Sequence, residues 1–253
     1  MAKELHDDVL VQPISGLVKR VKNLFSHQTA DSRERILIAL AGVPGSGKSA
    51  ISHALLKELE LQGIHGVEVA PLDGFHYTQK ALSNFDDPDL AFRRRGAPFT
   101  FDAEAFVNFT KTLKSIPITI TNEPESIIHA PSFDHAIKDP VQDGIQISSR
   151  TRLIIVEGNY TLLNQRSWCE IADLCDEKYV MKIRRVFDQA DSSRWFVDVP
   201  ADVVRDRLAK RHLAAGIEST MAQAIKRAEE NDLPNGDLIR ALLIKPDVII
   251  DNP

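Results

Sequence analysis

Residues 42–49 read Gly42-Val43-Pro44-Gly45-Ser46-Gly47-Lys48-Ser49, which matches the pattern G-x-x-x-x-G-K-[ST]. A β-branched, apolar run from Ile36 to Ala41 precedes the motif, and an amphipathic stretch follows it. A strand, a glycine-rich turn and a helix in this order place backbone N–H groups and a helix N-terminus around phosphate groups. The alternative is an ordinary glycine turn that caps a helix, but the two flanking elements favour the phosphate loop. The motif therefore predicts binding of a nucleoside triphosphate.

Two residues of the loop carry specific chemistry. Lys48 is expected to reach the β- and γ-phosphates, and the Ser49 hydroxyl is expected to bind Mg²⁺. The sequence has no N-K-x-D stretch for guanine recognition and no L-S-G-G-Q stretch of transporter ATPases. We therefore predict ATP and Mg²⁺ as cofactors, with ATP bound by Gly42, Val43, Pro44, Gly45, Ser46, Gly47, Lys48 and Ser49.

The composition limits the classes of partner. The chain has 253 residues, of which 43% are hydrophobic and 26% charged, which suits one large α/β domain or a domain with a substantial insertion. A net charge of −5 argues against a nucleic-acid partner. Cys169 and Cys175 suggest no disulfide framework, and their spacing matches no common zinc pattern.

The expected location is the cytoplasm. No apolar run approaches transmembrane length, and the acidic first residues lack the apolar segment of a secretory signal. We expect a small-molecule substrate and no membrane partner. Oligomerisation is possible, but the sequence does not predict it.

Short apolar runs alternate with amphipathic stretches from Ile36 onward. This alternation predicts an α/β fold of the P-loop NTPase type, a doubly wound and mostly parallel sheet with helices on both faces. The candidate strands are Ile36–Ala41, Val67–Ala70, Leu153–Val156, Trp195–Val199 and Val248–Asp251. The candidate helices include Ser49–Gln62, Ala103–Ser115, Ala201–Ala214 and Met221–Asn231.

The predicted domain organisation follows from the regions where this alternation of strands and helices is interrupted. Residues 1–32 are predicted to be an N-terminal helical extension, whose apolar face either packs on the domain or lies on a membrane surface. Residues 33–253 are predicted to be the P-loop kinase domain. Within it, the proline-rich and irregular region 74–150 is the expected acceptor-binding insertion, and 201–216 is the expected lid. A charged stretch, 179–193, is a candidate surface insertion.

Two carboxylates follow candidate strands. Asp73 lies at the end of the second strand, where it can accept or orient the proton of an attacking hydroxyl, or simply form an Asp-Gly turn. Glu157 ends a buried strand, in the place of the acid that holds Mg²⁺, although a solvated strand-end glutamate is the alternative. The predicted metal-binding residues are Ser49 and Glu157.

Two arginines lie four residues apart on a predicted helix. Arg207 and Arg211 therefore share a face and can fold over the triphosphate, or belong to a salt-bridged surface helix. We assign the catalytic roles to Asp73, Lys48, Arg207 and Arg211.

Several ordered segments resemble one family. They are the phosphate loop, Asp73–His76, Arg95–Asp102, Pro131–His135, Glu157–Tyr160, Arg207–His212 and Asn231–Asn235. From Ile36 to Asp251 the chain resembles the phosphoribulokinase/uridine kinase family, in a nucleoside/nucleotide-kinase-like branch with bacterial fructose-transport-type kinases and fungal relatives.

The resemblance implies ATP-dependent phosphorylation of a hydroxyl on a small metabolite. The acceptor classes that it leaves open are nucleosides, pantothenate, sugars and sugar phosphates. Rings near Asp73 either stack on the acceptor or pack beneath a loop, and His76 either bonds the acceptor or the local backbone. The candidate acceptor-binding residues are Phe75, His76, Arg95, Phe101, Asp102, His135 and Tyr160. The alternative function is an ATP-binding or ATPase regulator that acts on a protein partner.

Overall fold

Apolar runs of the sequence become strands, and the amphipathic stretches between them become helices. The structure, a computed structural model, describes residues 10–11, 14–29, 32–175 and 193–252. The charged stretch 179–193 lies outside these residues, except for Ser193. The strands are β1 (Leu10–Val11), β2 (Ile36–Gly42), β3 (Val67–Pro71), β4 (Ile127–Asp134), β5 (Asp139–Ser148), β6 (Leu153–Glu157), β7 (Arg194–Asp198) and β8 (Val248–Asp251).

Helices connect most of these strands. Two short 3₁₀ turns, Leu72–Phe75 and Pro98–Thr100, and a π-helical turn, Ala228–Asp232, complete the helical structure of the described residues. Within the same residues, no helix has both the length and the apolar character needed to cross a bilayer. The α-helices are α1 (Ile14–His27), α2 (Lys48–Leu61), α3 (Gln79–Leu82), α4 (Pro88–Arg93), α5 (Ala103–Ser115), α6 (Cys169–Leu174), α7 (Ala201–Ala214), α8 (Met221–Arg227) and α9 (Leu233–Ala241).

The central sheet has six strands in the order β1-β8-β7-β2-β6-β3, and each described pairing in it is parallel. Every residue of β2 and β6 is buried. A parallel strand covered on both faces needs such a continuous apolar run. The predicted doubly wound α/β sheet is confirmed, and the five predicted strands agree with the observed ones to within one residue.

The chain order changes direction around β2, which pairs with β6 on one side and β7 on the other. Ligands bind at such a switch point, outside the carboxyl ends of the strands. The register Leu40↔Glu157 and Pro71↔Glu157 brings the ends of β2, β6 and β3 to the same level. This edge of the sheet is where the candidate site is expected.

Elements from the first 32 residues share the core of the following chain. β1 pairs with β8, and α1 packs on α2 through a buried face. Of the two alternatives for this helix, the packing favours docking on the domain. The boundary at residue 32 stays a prediction. The buried residues of that face are Leu17, Val18, Arg20, Val21 and Leu24.

The insertion contains more regular structure than the sequence suggests. β4 and β5 form an antiparallel hairpin, so the expectation of an irregular stretch is wrong for residues 127–134 and 139–148. The sequence did not predict these strands because prolines within a segment normally argue against a strand. Pro131 lies at a register shift between Ala130 and Ser132, and Pro140 belongs to a two-stranded sheet in which both strands are edges. At bulges and edges a missing N–H costs little.

The helix predicted over Met221–Asn231 is also different. It ends as α8 at Arg227, widens into the π-turn Ala228–Asp232 and continues as α9. Pro234 explains the widening, because its ring has no N–H and would collide with the carbonyl of Glu230 in a regular α-helix.

A buried arginine fastens β2 to the rest of the domain. Arg35 is 1% exposed, and burial lowers the pKa of its guanidinium. The guanidinium donates to four backbone carbonyls, and these come from the end of α5 and from the turn before β6. The acceptors are Thr151 O at 2.8 Å, Leu113 O at 2.6 Å, Ile116 O at 3.2 Å and Ser149 O at 3.2 Å.

We expect Arg35→Met to destabilise the fold by roughly 2–4 kcal/mol, because buried carbonyls lose a charged donor. That loss lowers the midpoint of thermal unfolding by about 5–15 °C. Arg33→Met is the matched control, because Arg33 forms an exposed ion pair with Glu123, and such pairs contribute about 1 kcal/mol or less. Equal midpoints for the two variants would contradict the role given to Arg35.

Candidate active site

The loop after β2 is shaped to receive an anion. Gly45 and Gly47 have φ angles of 74° and 89°, a region that side chains other than glycine rarely adopt. The Ser46 hydroxyl is buried, and no described residue bonds it. An unpaired buried polar atom in a loop at a helix N-terminus fits a phosphate oxygen. The predicted ATP-binding residues 42–49 therefore form one continuous cradle.

Lys48 begins α2, and its side chain lies back across the loop. Its Nζ donates to Gly42 O at 3.0 Å, Val43 O at 3.2 Å and Asn159 Oδ1 at 2.6 Å. Burial lowers the pKa of this ammonium to about 8, although the nearby carboxylates of Glu157 and Asp73 oppose that shift. The cation is therefore held close to both predicted acids.

Glu157 ends β6 and is 6% exposed. Its two carboxylate oxygens accept hydrogen bonds from Ser49 Oγ at 2.6 Å and from Ser52 Oγ at 2.7 Å. A hydroxyl and a carboxylate are the hard oxygen ligands that Mg²⁺ prefers. Ser49 and Glu157 thus fit the predicted metal, with Ser52 fixing the orientation of the carboxylate.

Asp73 lies in the 3₁₀ turn that follows β3 and is exposed. Its backbone carbonyl is 2.8 Å from His76 Nδ1, whereas no described residue forms a hydrogen bond with its carboxylate. Its negative charge raises the pKa of Lys48, so the carboxylate is close to the ammonium. The carboxylate of Asp73 therefore faces solvent beside the phosphate loop, where an incoming molecule can contact it.

Helix α7 closes the other side of the loop. A cavity of about 220 Å³ separates the two elements, and its lining combines loop residues with the two predicted lid arginines. Arg207 also donates from Nη1 to Asn252 O at 2.9 Å. The structure thus places both arginines beside the phosphate loop. The lining residues are Gly45, Gly47, Lys48, Ser49, Ala50, Arg207, Leu208 and Arg211.

Three of the candidate acceptor-binding rings are buried. Phe75 packs edge-on against Phe106, with ring centroids 4.9 Å apart. Phe101 packs between other aromatic rings, and the Tyr160 hydroxyl donates to Gly96 O. These contacts favour the packing alternative for Phe75 and Phe101. Tyr160, which was predicted to bind the acceptor, is buried against Phe101.

The two candidate histidines are more accessible. His76 is half-buried and lies over Phe101, with ring centroids 3.8 Å apart. His135 is exposed in the hairpin turn and contacts Phe133, which also contacts His76. Their rings therefore extend from the Asp73 turn to the hairpin, along one side of the candidate acceptor site.

Arg95 and Asp102 have structural contacts as well. Arg95 donates to Tyr77 O and to Asp139, both at 3.0 Å, which fixes its segment to the hairpin. Asp102 caps α5 by accepting from Ala105 N at 2.9 Å. Their acceptor-binding roles stay predictions.

Sequence reasoning missed three residues at this site. Asn159 accepts a hydrogen bond from Lys48. Its position two residues after the strand-end acid Glu157 could have indicated this role. Ser52 follows Ser49 by one helical turn, so both hydroxyls face Glu157. Asn252 donates from Nδ2 to Ser46 O at 2.8 Å. That contact joins residues 206 positions apart, and no local pattern indicates it.

Comparisons with known proteins indicate the family of the chain. The chain is 37% identical over 241 residues to a Schizosaccharomyces pombe protein named as a putative uridine kinase, an alignment that covers 95% of this chain and 91% of that protein. It is 32% identical over 243 residues to the ATP-dependent kinase YFH7 of Vanderwaltozyma polyspora, covering 85% of this chain and 64% of that protein. No protein-family model matches.

A solved structure shares the fold. It is that of a putative fructose transport system kinase from Silicibacter sp., which has a TM-score of 0.73 and 29% identity and covers 96% of this chain and 100% of that one. In this chain, the phosphate loop, the acids at two strand ends and the two predicted lid arginines lie together. The chain therefore belongs to the phosphoribulokinase/uridine kinase family of P-loop kinases.

Proposed function

We propose that the protein is an ATP-dependent small-molecule kinase, which transfers the γ-phosphoryl group of ATP to a hydroxyl of a metabolite. The observation that carries the proposal is the position of the Lys48 ammonium. It lies near the carboxylates of Asp73 and Glu157 and at a cavity lined by Arg207 and Arg211. The acceptor belongs to the nucleoside, pantothenate, sugar or sugar phosphate class.

Asp73 is the proposed base. As the acceptor oxygen bonds to the γ-phosphorus, the bond from that phosphorus to the bridging oxygen of ADP breaks, and the hydroxyl proton passes to the carboxylate. Glu157 is less suited to this step, because both of its oxygens already accept serine hydroxyls inside the protein. The exposed carboxylate of Asp73 has room for an acceptor alcohol.

The cations around the loop stabilise charge. Lys48, Arg207 and Arg211 offset negative charge on the moving phosphoryl group. Ser49 and Glu157 would hold Mg²⁺, which when bound neutralises charge on the β- and γ-phosphates. Closure of α7 over the loop excludes water and so limits hydrolysis.

An ATP-consumption screen tests the function. Purified protein with Mg²⁺ is incubated with nucleosides, pantothenate, sugars and sugar phosphates, and ADP formation is measured. ADP formation that depends on one acceptor, and that is accompanied by a phosphorylated form of this acceptor, supports the kinase function. If ATP is hydrolysed without any added metabolite, and a protein partner stimulates this hydrolysis, the result would instead support the alternative function, an ATP-binding or ATPase regulator.

We expect Asp73→Asn to lower kcat for acceptor phosphorylation by roughly 10²–10⁴-fold, because the amide cannot accept the proton. ATP affinity should stay within a factor of about two, since Asp73 faces the acceptor side. Asp173→Asn is the control, because this exposed residue of α6 does not line the cavity beside the loop. Normal turnover by Asp73→Asn would transfer the role of base to Glu157.

We expect Glu157→Gln to raise the Mg²⁺ concentration for half-maximal activity by roughly 10–100-fold, because a charged oxygen near the metal is lost. Activity is titrated with Mg²⁺ at saturating ATP. Glu170→Gln is the control, because Glu170 is half-exposed and pairs with Lys111 on the surface. An unchanged Mg²⁺ requirement would remove Glu157 from the metal site.

A further inference from the structure

The residue that follows β8 lies against the phosphate loop. β8 pairs with β7, and β7 pairs with β2, in a register that puts Gly42, Val197 and Ile250 side by side. Because these strands are parallel, β2 and β8 end at the same edge of the sheet. Asn252, which comes directly after β8, therefore meets the loop that follows β2.

Two hydrogen bonds fix Asn252 in this place. Its side-chain Nδ2 donates to Ser46 O at 2.8 Å, and its backbone carbonyl accepts from Arg207 Nη1 at 2.9 Å. Ser46 belongs to the loop, and Arg207 lines the cavity beside it. A Cβ atom on Gly47 would collide with Asn252 Nδ2, so the glycine leaves room for the amide where it lies.

The Ser46 carbonyl depends on Asn252 for its partner. Ser46 precedes Gly47, the cap of α2, and the backbone bond that enters this cap runs from Ile51 N–H to Gly47 O. The helix thus does not use the Ser46 carbonyl. Within the described part of the chain, no group other than the Asn252 amide donates to it. The amide therefore fixes the direction of this carbonyl.

The direction of the Ser46 carbonyl sets the direction of the Gly47 N–H. The peptide between them is trans, so its C=O and N–H point to opposite sides. The carbonyl points to Asn252, and the N–H, which bonds no described residue, points away from it. Gly47 also lines the cavity. A backbone N–H held in this way is the donor that a phosphate loop offers to an anion.

The loop does not secure this orientation by itself. A peptide plane can turn over, which exchanges its C=O and N–H and changes mainly ψ of the residue before it and φ of the residue after it. The residue after it is Gly47, whose φ is 89°, and glycine adopts either sign of φ at little cost. The glycine that allows the loop to form therefore also allows the Ser46 carbonyl to turn toward the phosphates, where it would repel them.

We propose that Asn252 is a positioning residue of the phosphate site, whose side-chain amide holds the Ser46–Gly47 peptide with its N–H toward the phosphates of ATP. An amide suits this task, because its NH₂ group donates to a carbonyl without adding a charge. The inference rests on the proposed function in one respect, namely that this loop binds the phosphates of ATP.

ATP affinity, measured by titration calorimetry with Mg²⁺ and without any acceptor, tests this inference. Asn252→Leu keeps the approximate size of the side chain and removes the donor. We expect it to weaken ATP binding roughly threefold to tenfold, the range of one neutral hydrogen bond. Asn84→Leu is the matched control and should leave the affinity unchanged. Asn84 Nδ2 also donates to a backbone carbonyl, Lys80 O at 2.8 Å, but this residue does not line the cavity.

A comparison with Asn252→Gln provides a readout that a merely structural role would not give. Glutamine keeps the donor on a longer side chain, so it should recover part of the ATP affinity that Asn252→Leu loses. If residue 252 served only for packing, leucine, which is closer to asparagine in size, would be tolerated better than glutamine. A larger loss for Asn252→Gln than for Asn252→Leu would therefore overturn the inference.

Thermal unfolding without ATP separates positioning from stability. Asn252 is half-buried, and loss of one hydrogen bond should lower the unfolding temperature by less than about 4 °C. A larger fall together with unchanged ATP affinity would show a structural role and contradict the proposal.

Equal ATP affinities of Asn252→Leu and wild type would also overturn the inference. Asn252→Ala, which lacks the donor and adds no bulk, provides the same test even if Asn252→Leu does not fold. Failure of the proposed function is distinguishable, because it appears as a wild type that phosphorylates no acceptor in the screen, whereas this inference requires only that ATP binds to the loop.

Discussion

The pairing of β2 between β6 and β7 is the constraint on which the rest of the structure depends. Parallel strands bring all their carboxyl ends to one edge of the sheet. The phosphate loop therefore follows β2 at the level where Glu157 ends β6 and where β3 leads to Asp73. None of these side chains is close to another along the chain. Their proximity results from backbone hydrogen bonds of the sheet.

The buried charges at this edge, Lys48 and Glu157, are stabilised by protein groups rather than by solvent. The buried Lys48 ammonium has three oxygen acceptors, and two carboxylates nearby partly compensate for its loss of hydration. Glu157 in turn accepts two serine hydroxyls. A site with these fixed dipoles needs little rearrangement when charge moves through it, which is how phosphoryl transfer gains most from a protein.

Local sequence patterns were sufficient for five of the six described strands of the central sheet and for the phosphate loop, but not for β1. Buried parallel strands need continuous apolar runs, and the phosphate loop needs glycines, a lysine and a hydroxyl at fixed spacing, so β2, β6 and residues 42–49 were predictable. The hairpin was not, because Pro131 and Pro140 normally argue against strands and only their bulge and edge positions permit them. The π-turn that accommodates Pro234 was not predicted either, because the local pattern indicated a continuous helix. The contact of Asn252 with Ser46 depends on the complete fold, and no local pattern contains it.

The Arg35 contacts also bear on the order in which the chain acquires structure during synthesis. All four acceptor carbonyls lie 78 to 116 residues after Arg35, and the partners of β2 in the sheet follow later still. A ribosome must therefore release more than a hundred residues before this strand can pair. Until then the apolar strand and the glycine-rich loop emerge without support. For a protein of this topology, the apolar strand β2 therefore stays unpaired in the nascent chain until β6 has been synthesised.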